Sequence, residues 1–117
     1  DRFDVAQRAA REWNVVVVLK GAFTLVAEPG GKVHVNPFAT AALATAGTGD
    51  VLAGVVAGLL AQGLSPTDAA VAGAYIHGAA GQMLAGEVGA AGCTAGDLLP
   101  RLPLIMRQLR PRAQLAS

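Results

Sequence analysis

Aromatic residues and cysteines are scarce in this sequence. Aromatics make up 4% of the 117 residues, so a core must be built from Ala, Val and Leu, and the hydrophobic fraction of 53% is ample for one. The single cysteine, Cys93, excludes an internal disulfide, which suits a reducing cytoplasm. Because no motif sets a base beside it, we interpret Cys93 as a small buried residue and not as a nucleophile.

Strong net charge and long apolar runs are also absent. The formal net charge of +1 gives no global indication of a nucleic-acid partner. Residues 51–61 are the longest apolar run, which is too short to span a bilayer, and the charged residues 1–4 do not resemble a signal peptide. Four arginines near the C-terminus favour a solvated helix face and a frayed tail over a contact with an anion: Arg101, Arg107, Arg110 and Arg112.

Several familiar site motifs are missing. The sequence has no P-loop ending in Gly-Lys-Ser/Thr and no Gly-x-Gly-x-x-Gly that opens a strand–helix unit. No cluster of His, Cys and Asp has metal-ligand spacing, so no metal held by the protein itself is predicted. His34 is predicted to be exposed on a hairpin strand. For His77, within a Gly/Ala-rich helical segment, a hydrogen-bonded packing role is favoured over catalysis.

The first part of the chain has the pattern of an α/β protein. Apolar residues recur at four-residue spacing from Val5 to Trp13, which predicts an amphipathic helix over residues 2–13 that ends at Asn14. Residues 15–19 form a wholly apolar, mostly β-branched run, the pattern of a strand buried on both faces. A helix that leads into such a strand suggests a parallel α/β sheet.

A hairpin, a long loop and three helices are predicted next. Residues 24–27 and 32–35 flank a Glu-Pro-Gly-Gly turn, and residues 36–48 form the loop. The first helix covers residues 50–62, and its Gly54 and Gly58 would let another element approach closely. The second runs from the Ser65 cap to about residue 85. The last begins at Thr94-Ala95-Gly96-Asp97 and is predicted to be kinked at Pro100 and Pro103. Three strands make a poor sheet alone, so residues 1–117 are predicted to be the second part of a larger domain.

Gly47-Thr48-Gly49-Asp50 is the first candidate site. Two glycines around one residue let the chain turn tightly and present successive N–H groups, and a helix N-terminus adds roughly half a positive charge. Such a cradle binds an oxyanion or phosphate, where a carboxylate can accept or deliver a proton. The alternative is simple packing. Capping explains Asp68 and Asp97, which each follow a Ser or Thr by three residues, but it does not explain Asp50.

Lys20-Gly21-Ala22-Phe23-Thr24 is the second candidate site, directly after the predicted strand at 15–19. Ligands in open α/β sheets bind beyond the carboxyl ends of parallel strands. A lysine, a flexible glycine and a threonine hydroxyl at that position could hold the phosphates or sugar of a nucleotide. On spacing alone, an ordinary strand-end turn with Lys20 in solvent is favoured.

Taken together, these segments resemble one family. Val18-Leu19-Lys20-Gly21-Ala22, Val35-Asn36-Pro37, residues 44–54, Tyr75-Ile76-His77-Gly78 and Thr94-Ala95-Gly96-Asp97 look like the ADP-dependent NAD(P)H-hydrate dehydratases of the ribokinase-like superfamily. The resemblance implies an α/β fold, the C-terminal part of a ribokinase-like three-layer α/β/α domain. One loop departs from the family: Phe38-Ala39-Thr40-Ala41-Ala42-Leu43 keeps its length but has lost its glycines and second proline.

The resemblance also implies an activity and a set of roles. The family uses ADP or ATP, with Mg²⁺ on the phosphates, to dehydrate hydrated NADH or NADPH in the cytoplasm, and we expect a homo-oligomer. The implied nucleotide contacts are Lys20, Gly21, Ala22, Phe23, Thr24 and Gly49. Gly47, Thr48, Asn36 and Asp50 would line the substrate and anion hole, with Asp50 as the catalytic residue. Two alternatives stay open: a ribokinase-like kinase of a thiamine precursor or a sugar, and a catalytically inert truncated fragment.

Overall fold

The computed structural model describes residues 1–21, 23–38, 41–44 and 46–109, and it confirms the predicted order of helix, strand, hairpin and helices. The elements are α1 (Arg2–Trp13), β1 (Val17–Leu19), β2 (Leu25–Ala27), β3 (Val33–Val35), α2 (Thr48–Ala61), α3 (Pro66–Val88) and α4 (Leu102–Gln108). Short 3₁₀ segments lie at Ala41–Ala44, Ala90–Gly92 and Ala95–Arg101. Helix α2 begins two residues before the predicted start, and α3 ends three residues after the predicted end.

The ends of the first and third helices follow from local side-chain chemistry. Asn14 ends α1 in the left-handed conformation with φ 51°, as the sequence predicts. The Ser65 hydroxyl accepts a hydrogen bond from the Asp68 amide at 3.2 Å, and Pro66 occupies the first position of α3, where a missing N–H costs nothing. Both predicted helix boundaries are therefore confirmed.

Thr94 and Asp97 form the predicted capping arrangement. The Thr94 N–H donates to Asp97 Oδ2 at 2.9 Å, and this bond, together with the Thr94 side chain, holds the pKa of Asp97 below its ordinary value. The segment they begin is 3₁₀ through Arg101 and α-helical only from Leu102. Pro100 has no N–H to donate, so a continuous α-helix is interrupted there. The predicted kinked helix is thus two consecutive elements.

The three strands form one antiparallel sheet in the order β1-β2-β3. Val17 faces Ala27 across the first pair, and Leu25 faces Val35 across the second. The suggestion of a parallel sheet is wrong for the strands described. Their connections, residues 20–24 and 28–32, are far shorter than the dozen or so residues that a parallel crossover requires.

Helices cover both faces of the central strand. Successive side chains of a strand point to opposite faces, and β2 is completely buried. Ala27 packs against Ala6 and Ala10 of α1, whereas Val26 packs against Ala70 and Ala74 of α3. The arrangement α1, sheet, α3 is the three-layer α/β/α architecture predicted from the sequence.

Strand β1 differs from its prediction. The sequence predicts a strand over residues 15–19 that is buried on both faces, but the strand covers only Val17–Leu19 and is half-buried. Val15, just before it, has 44% of its surface exposed. The reason is its position: β1 lies at the sheet edge and, within the described ranges, pairs only with β2. The strand that is buried on both faces is β2.

Helices α2, α3 and α4 enclose the largest core cluster, which includes Leu59, Ile76, Leu84, Leu98 and Ile105. A Cβ added at Gly73 of α3 would lie 2.7 Å from Val56 Cγ2, so this glycine lets α2 and α3 pack closely. The sequence assigned that role to Gly54 and Gly58. In the part of the chain that the structure describes, an added Cβ at either position meets nothing within 4 Å.

Other side chains singled out in the sequence have the following environments. His34, predicted to be exposed, is half-buried because its Nε2 lies 2.8 Å from Glu28 Oε2. Cys93 is buried as predicted, and its thiol donates to the Gly89 carbonyl at 3.2 Å. Arg101 pairs with Glu87 through its Nε at 2.8 Å. Arg110 and Arg112 lie outside the described residues.

None of the described helices is long and apolar enough to cross a membrane.

Substituting an exposed glycine of α2 tests the packing of that helix. We expect Gly58→Ala to raise the free energy of unfolding by about 0.5–1 kcal/mol, because alanine loses less backbone entropy in a helix and its methyl group meets no neighbour. Chemical denaturation of the variant and the wild type measures the difference. A loss of stability would instead support the close approach at Gly58 that the sequence predicts.

Candidate functional site

The Gly47–Asp50 turn begins helix α2 at a glycine, so the N-cap residue has no side chain to bond to the helix amides. Gly47 is the N-cap residue, in the left-handed conformation with φ 89°, and its carbonyl accepts from the Asp50 amide at 3.1 Å. A Cβ at Gly47 would lie 3.1 Å from the Cβ of Ala95, so the turn packs against the Thr94–Asp97 segment. Glycine is needed here for its φ and for this contact. Helix α2 therefore begins at a residue that offers no capping side chain.

The Lys20 side chain reaches this turn from the other candidate site. Its ammonium nitrogen lies close to Gly49, where an added Cβ would collide with it. Lys20 and Gly49 are 29 positions apart in the sequence, and the two segments that the sequence singled out separately therefore meet here. Lys20 is exposed, as the strand-end turn favoured on spacing alone predicts, but its ammonium also reaches Gly49.

The charge balance at this point favours an anion. The N-terminus of a helix carries roughly half a positive charge, and the Lys20 ammonium adds a full one. Among the described residues, no carboxylate forms an ion pair with Lys20 within 4.0 Å. Two positive groups side by side repel each other unless an anion joins them. A phosphate bound between Lys20 and the amides of residues 47–49 would supply that charge.

Hydrogen bonds of Thr48 and His77 hold the turn in place. The Thr48 hydroxyl donates to the Leu43 carbonyl at 2.6 Å, and the Thr48 carbonyl lies 2.9 Å from His77 Nε2. Thr48 and His77 are both buried. Burial lowers the pKa of His77, the bond to Thr48 partly offsets this, and the charge of Lys20 lowers it further. His77 has the hydrogen-bonded packing role predicted from the sequence, and its partner is the candidate site itself.

Asn36 lies at the end of β3 with one unused acceptor. Its backbone amide donates to the Thr24 carbonyl at 2.8 Å, and its Nδ2 donates to the Ala74 carbonyl at 3.0 Å. The side chain is nine-tenths buried, yet Oδ1 has no hydrogen-bond partner among the described residues. A buried acceptor without a donor is costly, and such atoms are rare in folded proteins. Asn36 therefore retains an acceptor for which the described residues provide no donor.

The Lys20–Thr24 segment is shaped by a residue that the sequence reasoning missed. A terminal nitrogen of Arg2 donates to the carbonyls of Phe23, at 2.8 Å, and Leu19, at 3.3 Å, and so spans the turn. The guanidinium lies against Gly21, where a Cβ would collide with it. Arg2 lies in helix α1, far from the turn in the sequence, so no local pattern could reveal the contact. Ala22, one of the predicted nucleotide contacts, lies outside the described residues.

Asp50 is exposed at the edge of an apolar groove. The groove has a volume of about 430 Å³ and lies between α2 and the 3₁₀ segment and helix that follow α3. Its other lining residues are Val51, Gly54, Val55, Leu99 and Leu102. A carboxylate at the margin of an apolar groove can act on a polar group of a ligand whose remainder packs on the aliphatic side chains.

The loop that departs from the family pattern packs an aromatic ring onto α3. Phe38 covers Gly78, where an added Cβ would lie 2.6 Å from its ring, and its ring lies 5.0 Å from that of Tyr75 in an edge-to-face arrangement. Gly78 adjoins His77 in sequence, so Phe38 covers the helix turn that supports the site.

No group of three or more His, Cys, Asp and Glu side chains arranged to hold a metal occurs among the described residues. Any Mg²⁺ would therefore depend chiefly on ligands that a bound molecule supplies.

The architecture agrees with that of solved structures. A Bacillus subtilis ADP/ATP-dependent NAD(P)H-hydrate dehydratase, co-crystallized with ATP and Mg²⁺, is 34% identical and superposes with a TM-score of 0.89 over 94% of this chain and 40% of that one. The chain thus has the fold of the C-terminal part of a ribokinase-like α/β/α domain.

Sequence comparison identifies the family. The profile of the NAD(P)H-hydrate dehydratase family matches residues 1–104, and the chain belongs to that family. A bifunctional NAD(P)H-hydrate repair enzyme Nnr of Moorella thermoacetica is 49% identical over 97% of this chain and 22% of its own length. An ADP-dependent (S)-NAD(P)H-hydrate dehydratase of Neisseria meningitidis is 46% identical over 86% of the chain and 34% of its own length. The chain thus spans a fifth to a third of these curated relatives.

The contact between Lys20 and Gly49 gives a direct test of the anion site. We expect Gly49→Ala to weaken binding of inorganic phosphate by roughly tenfold or more, because the methyl group would collide with the ammonium and a charge-assisted hydrogen bond is lost. Stability should change little, since the end of the lysine side chain can move aside. Calorimetric titration measures the affinity, with Gly58→Ala of the same helix as the matched control. Wild-type affinity in Gly49→Ala would contradict the site.

Proposed function

We propose that this chain carries the anion-handling centre of an enzyme that uses ADP or ATP to dehydrate hydrated NADH or NADPH. The observation that carries the proposal is the contact of the Lys20 ammonium with Gly49, at the N-terminus of α2, where the N-cap residue is a glycine. In the described residues Lys20 forms no ion pair with a carboxylate. This is the charge pattern of a phosphate site. Relatives named as ADP-dependent or ADP/ATP-dependent NAD(P)H-hydrate dehydratases favour the phosphate of an adenine nucleotide.

The nucleotide would lie along two segments of the chain. Its phosphates occupy the space between Lys20 and the amides of Gly47, Thr48 and Gly49, and its adenosine part extends along residues 21–24. Arg2 supports this role, because its bonds to the Leu19 and Phe23 carbonyls hold both ends of the turn. The Thr48 hydroxyl is bonded to the Leu43 carbonyl, so Thr48 contributes its backbone and not its hydroxyl.

Asp50 serves the hydroxyl group of the hydrated nicotinamide. It accepts the proton of that hydroxyl as the oxygen attacks the terminal phosphorus of the nucleotide, and the bond from that phosphorus to the bridging oxygen breaks. The phosphate ester then leaves as inorganic phosphate with loss of a proton from the adjacent carbon, which restores the ring double bond. The first-turn amides and Lys20 stabilise the negative charge on the transferring group.

Asn36 binds the substrate through its unused acceptor. The buried Oδ1 lacks a partner and can accept from an amide or hydroxyl group of the hydrated nicotinamide. A ligand donor there would remove the cost of leaving this atom unpaired. Its Nδ2 bond to Ala74 keeps the amide group oriented.

Mg²⁺ would enter with the nucleotide. The described residues offer no three-ligand cluster, which fits an ion held mainly by phosphate oxygens and water, the usual mode for Mg²⁺ in phosphoryl-transfer sites. When bound, the ion neutralises phosphate charge; the positions of the phosphates are set by Lys20 and the α2 amides.

The chain acts as part of a larger assembly. Residues 1–117 form part of a ribokinase-like domain, and the half-buried edge strand β1 is the edge at which further strands would pair. Exposed apolar side chains such as Val5 and Trp13 of α1 favour homo-oligomers. The lone, buried Cys93 supports a reducing, cytoplasmic setting.

Substituting the catalytic carboxylate tests the proposed reaction. In the complete protein, we expect Asp50→Asn to slow dehydration by a hundredfold or more, on the order of what a general base contributes, since the amide cannot take the hydroxyl proton. Recovery of the absorbance of reduced nicotinamide from its hydrate, with ADP present, measures the rate. Asp68→Asn is the control, because Asp68 is exposed at the start of α3 and should leave the rate near that of the wild type.

A normal rate in Asp50→Asn would contradict the role of Asp50. If the wild-type protein left the hydrate unchanged but phosphorylated a thiamine precursor or a sugar, the kinase alternative would replace the dehydratase.

A further inference from the structure

His77 of helix α3 forms a hydrogen bond with Thr48 of the candidate site. Its Nε2 lies 2.9 Å from the Thr48 carbonyl oxygen, and both residues are buried, with 6% and 5% of their surfaces exposed. A hydrogen bond between two buried partners is shielded from water, and replacing His77 with an apolar side chain removes it. The contact therefore belongs to the buried part of the site.

The hydrogen bond to the Thr48 carbonyl defines the protonation state of the His77 ring. A carbonyl oxygen only accepts, so His77 Nε2 must carry the proton and donate it. Burial and the nearby charge of Lys20 both lower the pKa of His77, which favours the neutral ring at physiological pH. His77 is then the Nε2–H tautomer, with Nδ1 unprotonated.

The planarity of the peptide bond transmits this contact to the anion site. The carbonyl of Thr48 and the N–H of Gly49 belong to one planar trans unit, in which they point in opposite directions. A hydrogen bond that fixes the Thr48 carbonyl therefore also restrains the direction of the Gly49 N–H. The bond from the Thr48 hydroxyl to Leu43 restrains the same residue from a second direction.

We infer that His77 is a positioning residue that aims the Gly49 amide at the anion bound beside Lys20. This inference rests on the proposed function for the identity of the anion, an adenine nucleotide phosphate. His77 itself touches neither nucleotide nor substrate. It supplies the orientation of a donor that must be in place before the anion arrives.

A pair of substitutions tests the inference in the complete protein. His77→Leu keeps an apolar side chain of similar size but removes the donor, and we expect ADP binding to weaken by roughly tenfold, the equivalent of one hydrogen bond. His77→Gln can place an N–H near the position of Nε2, and we expect it to restore most of the affinity. Calorimetric titration with ADP gives the dissociation constants.

Ile76→Val is the matched control for general destabilisation. Ile76 is buried in the same turn of α3 but packs into the core of α2, α3 and α4 and does not contact Thr48. Its shortened side chain should lower the melting temperature without changing the affinity for ADP. If His77→Leu bound ADP as tightly as the wild type, or if Ile76→Val weakened binding equally, the positioning role would be overturned.

Nitrogen-15 NMR of the histidine rings gives a readout that does not depend on turnover. The inference requires the Nε2–H tautomer of His77 at neutral pH, and an Nδ1–H tautomer would overturn it. The proposed reaction and the positioning role of His77 can be contradicted independently of each other. A wild-type protein that binds ADP but dehydrates nothing would contradict the proposed reaction while His77→Leu could still confirm the positioning role. Normal dehydration by His77→Leu with wild-type ADP affinity would contradict the positioning role alone.

Discussion

The approach of the Lys20 ammonium to the N-terminus of α2 is the interaction on which the site depends. A cation beside the positive end of a helix is unfavourable by itself and becomes favourable when an anion lies between them. The fold holds both groups there because β1 ends at Leu19, one residue before the lysine, and α2 begins at Thr48, one residue before the glycine that the ammonium covers. Under the proposed function, both groups are therefore in place before a phosphate binds.

Helix α3 supports every part of this arrangement. Its small residues Ala70 and Ala74 pack on the central strand, and Gly73 allows α2 to approach through Val56. The Ala74 carbonyl holds Asn36, and His77, almost one turn further along, holds Thr48. The Gly/Ala-rich composition of α3 is thus explained by close packing on three sides, since larger side chains would separate the elements that form the site.

Local chemistry made much of the fold predictable, and long-range contacts limited the rest. Asn14, Ser65 and the Thr94–Asp97 capping pair mark helix boundaries because their partners lie within four residues. The burial of β1 was predicted wrongly, because an apolar run does not show which strands lie beside it. The glycine that admits a neighbouring helix was also misassigned, since spacing alone cannot distinguish Gly58, which faces open space, from Gly73.

The sequence predicted both candidate segments of the site, but it did not predict that they lie close together. Glycine spacing and a helix start indicated the Gly47–Asp50 turn, whereas the supporting contacts of Arg2 and His77 join residues 21 and 29 positions apart. Such contacts depend on the packing of whole elements and leave no local pattern.

A crystal structure of the complete protein with bound ADP tests the central claim most directly. The account predicts the terminal phosphate within hydrogen-bonding distance of both Lys20 Nζ and the Gly49 N–H, at the start of α2. A phosphate bound elsewhere, with the Lys20 ammonium left in solvent, would contradict it.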